Sequence, residues 1–517
     1  MDARQPNIVW MIADHYALAQ FRRYASVFGL TTPASDRIAT AGVRFDAAYS
    51  ICPLCTPARG SMVTGQYPHR HGMTNNDGTH GSLREFGDAV EVFNRPLQRA
   101  GYRTGYFGKW HCGDRRLPRD FGFEGWSLPS YGYPYTAPEY RAYLDERGLP
   151  DPEVDIEWSS DRCETSLGRI QLMKEPNAFH RIETAGVLVS PLETHESHFV
   201  THLANRWIEK RAAAGDRFCA RVDVWGPHHP YWVAKPFAGM VPPGALSEYP
   251  TFSHDLADRP RHQQDFRTAY HAMAKTRTWA QWQPPLARCL EHVSLVEHAL
   301  ATVLDTLDRV GVSDNTLVIL TADHGDLLST NGGLVDKAWF MVEETMRIPM
   351  AMRWPGTFPE GRTSSALVSN MDVVPTVLAA AGCPLAADLD GRDLLPLARA
   401  DEGVSWPDDL VCESHGHYGK LVIQRMLRHG IHKYVAHLDD TDELYDLSSD
   451  PVESTNRIDD PLLAQVLVEM RTRLLANMGR SRDQAPEVVR LVQRIQAQLP
   501  RRSDSVPVSA RVGKSSH

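Results

Sequence analysis

At 517 residues the chain is too long for one ordinary hydrophobic core, and its length predicts a large α/β domain with a smaller one beside it. Its 55 basic and 64 acidic residues leave a net charge of -9 with no long run of lysine or arginine, which argues against a nucleic-acid partner. Hydrophobic residues make up 42%, the mean hydropathy is -0.37, and apolar runs such as Leu317 to Leu320 are far shorter than a membrane-spanning helix requires.

Asn7 to Ala13 is an almost continuous apolar run, the pattern of a parallel strand buried on both faces, and it ends at Asp14-His15. It starts so close to the initiator methionine that a secretory leader has no room ahead of it, so a cytoplasmic location is expected. The eight cysteines are scattered, which is not a disulfide framework. Cys52 and Cys55 form C-x-x-C, but no second such pair completes a zinc site and Thr56-Pro-Ala-Arg59 is not a thioredoxin-like continuation. Thr56-Pro57 instead signals a helix start, with Thr56 as N-cap. Cys55 then sits at the positive end of a helix with Arg59 about one turn on, an environment that favours an anionic side chain.

The Tyr- and Pro-rich stretch from Asp120 to Ser197 has no clear period and reads as inserted loops. From Glu291 to Gly311 apolar residues recur at helical spacing and feed a second apolar strand, Asn315 to Ala322, which ends at Asp323-His324. Asp372 to Gly382 reads as a short helix on the sheet, and the large α/β domain is placed at 1–400. Strand signals at Leu421–Leu427, His432–His437 and Glu443–Asp446, with a helix near Leu462–Met478, predict a C-terminal α+β subdomain over 401–500. Residues 501–517 read as a disordered tail. A tail with no core of its own is a candidate subunit contact in a homo-oligomer.

Two strands that both stop on Asp-His can converge on one site, because ligands in open α/β sheets sit beyond the carboxyl ends of the strands. Lys109 and His111 are spaced to project from one side of an extended segment. At this point the sequence resembles a known family. Cys55-Thr-Pro-Ala-Arg59 with Gly65-Gln-Tyr-Pro-His69 is similar to the C-x-P-x-R signature of the sulfatases, within the alkaline-phosphatase-like superfamily. Asn7–Asp14, Gly108-Lys-Trp-His111, Pro227-His-His-Pro-Tyr231, Thr321–Gly325, Lys337 and Glu443–Pro451 resemble further family segments, in the family's order.

The resemblance implies a large, mostly parallel mixed sheet sandwiched by helices. It implies that a maturation enzyme oxidises Cys55 to formylglycine, whose hydrated diol attacks a sulfate ester and later expels sulfate by elimination. It implies one divalent metal held by Asp14, His15, Cys55, Asp323 and His324. Calcium is expected first because the family commonly uses it; His15 stands where many members have a second aspartate, and manganese competes because imidazole suits transition ions better. Arg59 would help neutralise the sulfate and Lys109 would bind one of its oxygens. His111 would hydrogen-bond the diol, Asn76 (with Asn75 beside it) would lie near the nucleophile, Lys337 would bind sulfate, and His228 would protonate the leaving alcohol, with His229 a bystander. A phosphonate monoester or phosphodiester hydrolase using the same nucleophile is the alternative, and a catalytically silent binding protein a third reading. The leaving alcohol, a sugar, aryl or alkyl group, is not encoded in any motif.

Overall fold

The computed structural model describes residues 5–160, 168–174, 184–273 and 278–500; the predicted tail at 501–517 lies outside them. Strands Asn7–Asp14 (β1), Val43–Phe45 (β2), Arg103–Lys109 (β3), Glu124–Leu128 (β4), Phe218–Pro227 (β5), Thr316–Ala322 (β6), Met350–Arg353 (β7) and Arg362–Ser364 (β8) form one sheet. Their spatial order is β8-β2-β7-β6-β1-β5-β3-β4. The run from β6 through β1, β5, β3 and β4 is parallel, while β7 is antiparallel to both its neighbours. β1 is central and buried along its whole length, which is why it reads as an unbroken apolar segment with no polar alternation.

Helices flank this sheet, among them Cys55–Thr64 (α1), Glu196–Ala213 (α2) and Trp279–Arg309 (α3). α3 starts well before the expected Glu291, at a capping box in which Thr278 and Gln281 satisfy each other's backbone amides. Pro284 and Pro285 interrupt the apolar period in its first half and hide that start from the sequence. The start of α1 also differs from expectation. Leu54, in extended conformation, precedes the helix, Cys55 is its first residue, and Thr56 makes no cap bond. The backbone amide of Thr56 donates instead to Asn76 Oδ1 at 3.0 Å.

The stretch 120–197 is not a set of loops in the described residues. It supplies β4 on the edge of the main sheet, the helix Pro138–Arg147, and strands Glu153–Ser159, Gly168–Gln171 and Thr184–Leu188, which join Tyr231–Ala234 in a second sheet. Its half-buried edge strands are short and lack a continuous apolar run, so pairing with better-marked partners such as β3 decides their state.

Strands Asp409–Ser414 (β9), Gln424–His429 (β10), His432–His437 (β11) and Glu443–Asp446 (β12) form an antiparallel sheet in chain order. Alternation sorts their side chains. Val411, Leu427, Tyr434 and Leu444 pack under helices Ala464–Ser481 (α4) and Pro486–Ala497 (α5), the second of which the sequence reading lacks. Cys412, Met426 and Val435 face the other way, onto Tyr49, Ile51, Leu54 and Met341. The C-terminal sheet thus buttresses the segment that leads into Cys55.

Candidate active site

Four adjacent strands deliver chemistry at their carboxyl ends, the edge where open α/β sheets bind ligands. β1 ends on Asp14, β3 on Lys109, β5 runs into His228-His229, and β6 into Asp323-His324. Gly108 lets β3 close against β5: its φ is +100°, and a Cβ there would lie 1.9 Å from the Asp223 carbonyl oxygen.

Cys55 is buried at the start of α1, with Sγ 3.0 Å from His324 Nε2. This Sγ stands where the modified side chain would carry its oxygens. Burial alone would raise the thiol, but Lys109, Lys337 and His324 together hold it well below its ordinary value. Asp14, Cys55, Asp323 and His324 each bring one ligand atom within 4.8 Å of the others. Asp14 Oδ1 has no hydrogen-bond partner among the described residues. Burial, then the neighbouring Asp323 charge, raises the Asp14 carboxyl, whereas His324 and Arg59 overcome burial to hold Asp323 at about 2. Two buried carboxylates facing each other beside an anion-bearing residue 55 fit a divalent cation.

Arg59 lies beneath this cluster. Its Nε donates to Asp323 Oδ2 at 2.8 Å, and Nη1 donates to Asp223 Oδ2 and to the Lys109 carbonyl, both at 2.9 Å. Its Nη2 has no hydrogen-bond partner among the described residues and lies 3.5 Å from Asp14 Oδ1, so carboxylates compete with sulfate for the fork. Lys109 Nζ pairs with Asp14 Oδ2 and sits 4.2 Å from the centre of the Tyr131 ring. His111 leaves the strand at φ +52°, and burial pushes its ring below the ordinary imidazole value, with Cys55 opposing the shift. Asn76 meets the start of α1 through the backbone of Thr56. Asn75 braces its own loop by donating to the Thr79 carbonyl.

His15 is the expected ligand that goes elsewhere. At φ +65° it turns away from β1, and its ring joins His228, His229 and Asp336 in a second cluster, outside the group of Asp14, Cys55, Asp323 and His324. His229, expected to be a bystander, belongs to that cluster, and Lys337 borders it through a 2.7 Å pair with Asp336. Against burial, Asp336 and Cys55 hold Lys337 above the usual ammonium range. Burial, with His229, His15 and Lys337 nearby, pushes His228 well below its ordinary value. Its Nδ1 lies 2.7 Å from the His229 carbonyl oxygen.

Sequence reasoning missed Asp223, Asp336 and Tyr131. Arg221 and Asp223 are charges inside the otherwise apolar, fully buried β5, and that anomaly was the available signal. Tyr131, whose hydroxyl lies against His228 Nδ1, gave no signal beyond general aromatic content. Beside the cluster, Thr56, Asn76, Asp77, Arg84, His111 and Asp114 help line a cavity of about 460 Å³.

Cations gathered around one buried side chain whose thiol is pushed toward its anion, next to facing carboxylates that fit a metal ion, suit the class of hydrolases of anionic esters. The chain belongs to the sulfatase family, whose model matches residues 6–383, and is a sulfuric ester hydrolase; the model "N-sulphoglucosamine sulphohydrolase, C-terminal" matches 331–480. An N-acetylglucosamine-6-O-sulfatase of Bacteroides thetaiotaomicron is 26% identical, covering 88% of this chain and 83% of that protein. Among solved structures, BT4656 in complex with D-glucosamine-2-N,6-O-disulfate aligns with a TM-score of 0.70 at 22% identity, over 94% and 99% of the two chains. The phosphonate monoester hydrolase of Silicibacter pomeroyi aligns at 0.74 and 20%, over 93% and 96%, which is a likeness of fold.

Proposed function

We propose that the protein hydrolyses a sulfate monoester of a carbohydrate at formylglycine derived from Cys55. One divalent ion held by Asp14, Asp323, His324 and residue 55 supplies a Lewis acid there, and formylglycine supplies a hydrated-aldehyde nucleophile. Calcium is the ion we favour, because His15 lies outside the donor set and leaves it with a single imidazole; manganese competes. His111, whose ring interacts electrostatically with residue 55 and is held below its ordinary value by burial, accepts its proton. Lys109 and Lys337, whose charges both reach residue 55, bind the sulfate oxygens. Arg59 keeps Asp323 and Asp223 aligned rather than touching substrate. Proton donation by His228 would need a second ring proton, which burial and the neighbouring cations oppose, so Lys337 carries the leaving-group charge.

The observation that carries this reading is the position of Cys55, buried within one cluster with both strand-end aspartates and 3.0 Å from His324. The cavity beside it has a charged and amide-bearing lining, which suits a polyhydroxylated leaving group better than a flat aromatic one. The relative active on N-acetylglucosamine-6-O-sulfate supports the same substrate class. Matched assays on a sugar 6-O-sulfate, an aryl sulfate and a phenyl phosphonate ester test it. The sugar sulfate should give the highest kcat/KM; preferred turnover of the phosphonate would replace this reading with that of a phosphonate monoester hydrolase.

A further inference from the structure

We propose that His15, His228, His229 and Asp336 form a second metal site, for a borderline transition ion of the zinc type, distinct from the ion expected at Asp14, Asp323 and His324. One ligand atom from each of the four lies within 4.8 Å of the others, on segments that follow three different strands of the main sheet. Three imidazoles and one carboxylate are a nitrogen-rich set that zinc accepts and calcium does not favour.

The ring of His15 is completely buried, and neither of its nitrogens has a hydrogen-bond partner among the described residues. Its Nε2 lies 3.3 Å from Asp336 Oδ1, and its Nδ1 is 3.6 Å from Asp326 Oδ2. A fully buried imidazole left in this way is unfavourable unless something takes its lone pair. The surroundings also have the second layer of partners that metal-binding histidines require. His228 Nδ1 meets both the Tyr131 hydroxyl, at 2.5 Å, and the His229 carbonyl, at 2.7 Å; in the tautomer that donates Nδ1–H to that carbonyl, Nε2 is the available lone pair. His324, in the first cluster, shows the same arrangement, with Nδ1 donating to the Gly325 carbonyl at 2.8 Å. Tyr418 fixes Asp336 from the far side, donating its hydroxyl to Oδ2 at 2.7 Å. Lys337 shares the other carboxylate oxygen, so ion and ammonium would sit together on the side where Lys337 meets the leaving group.

The site does not depend on which ester is hydrolysed, and its test reads metal rather than turnover. Crystals of the full chain, dialysed and then equilibrated with Zn2+ and Ca2+, are measured on both sides of the zinc absorption edge. An anomalous zinc peak enclosed by His15, His228, His229 and Asp336 is expected, together with a loss of one zinc equivalent per chain in His229→Asn by elemental analysis. Zinc confined to Asp14, Asp323 and His324, or a zinc content unchanged by His229→Asn, would overturn the proposal. Should that variant fold poorly, the wild-type diffraction measurement decides alone.

Discussion

On the proposed function, Arg59 acts through the carboxylates it holds and does not touch substrate. It is completely buried, and its fork joins Asp323, Asp223 and the backbone of Lys109, which belong to three different strands of the main sheet or the turns after them. Removing one member of such a buried network leaves uncompensated charge behind, which typically destabilises by about 3 to 5 kcal/mol. Lysine keeps the charge but loses the planar fork. Arg59→Lys should therefore lose about 1.5 to 3 kcal/mol in chemical denaturation, the cost of hydrogen bonds to buried carboxylates, and reduce sulfate release by about a hundredfold, because Asp323 and Lys109 lose their fixed positions. A variant with normal stability and a raised KM alone would instead place Arg59 on the substrate.

Between elements, the most informative contact joins the short helix Pro68–His71 to the C-terminal sheet. His69 Nδ1 faces Glu413 Oε2 at 2.8 Å and Nε2 faces the Ser481 carbonyl at 3.1 Å, so both nitrogens meet acceptors and the ring carries two protons. Burial opposes that charge, but Glu413 and Asp483 prevail and raise His69 from 6.5 to about 8. A pKa raised on folding contributes stability that is complete below pH 6.5 and is lost as pH rises through 8. The shift corresponds to about 2 kcal/mol. The Tm gap between wild type and His69→Gln should accordingly be widest near pH 6 and shrink by pH 9; a gap independent of pH would contradict the assignment.

Legibility in the sequence followed burial at this scale. β1 and β6 were plain because strands covered on both faces must be apolar throughout, and the Asp-His pairs stood out where those runs stopped. The direction of the His15 ring was not legible, because a left-handed turn of one residue decides it and histidine gives no strong local signal for that conformation. The edge strands in 120–197 and the helix α5 were equally obscure, since their partners lie far off in sequence and supply most of the pattern that defines them.

Across the whole molecule, the main sheet and the C-terminal sheet both contribute to the site. The main sheet aims its ligands at one edge, while the C-terminal sheet supports the approach to Cys55 with one face. Its loop also reaches the rim, where Tyr418 holds Asp336, and His417 and Gly419 hold Asp77 on the wall of the cavity. Among the described residues no helix is long and apolar enough to cross a membrane. On the function proposed above, these contacts present position 55, buried among cationic side chains, as the reacting group. Mass spectrometry of the peptide carrying Cys55, compared with sulfate release across preparations that differ in maturation, tests that claim most directly. Conversion to the aldehyde lowers the peptide mass by roughly 18 Da, and turnover should rise in proportion to the converted fraction. Full turnover in a preparation whose Cys55 is wholly unconverted would contradict the account.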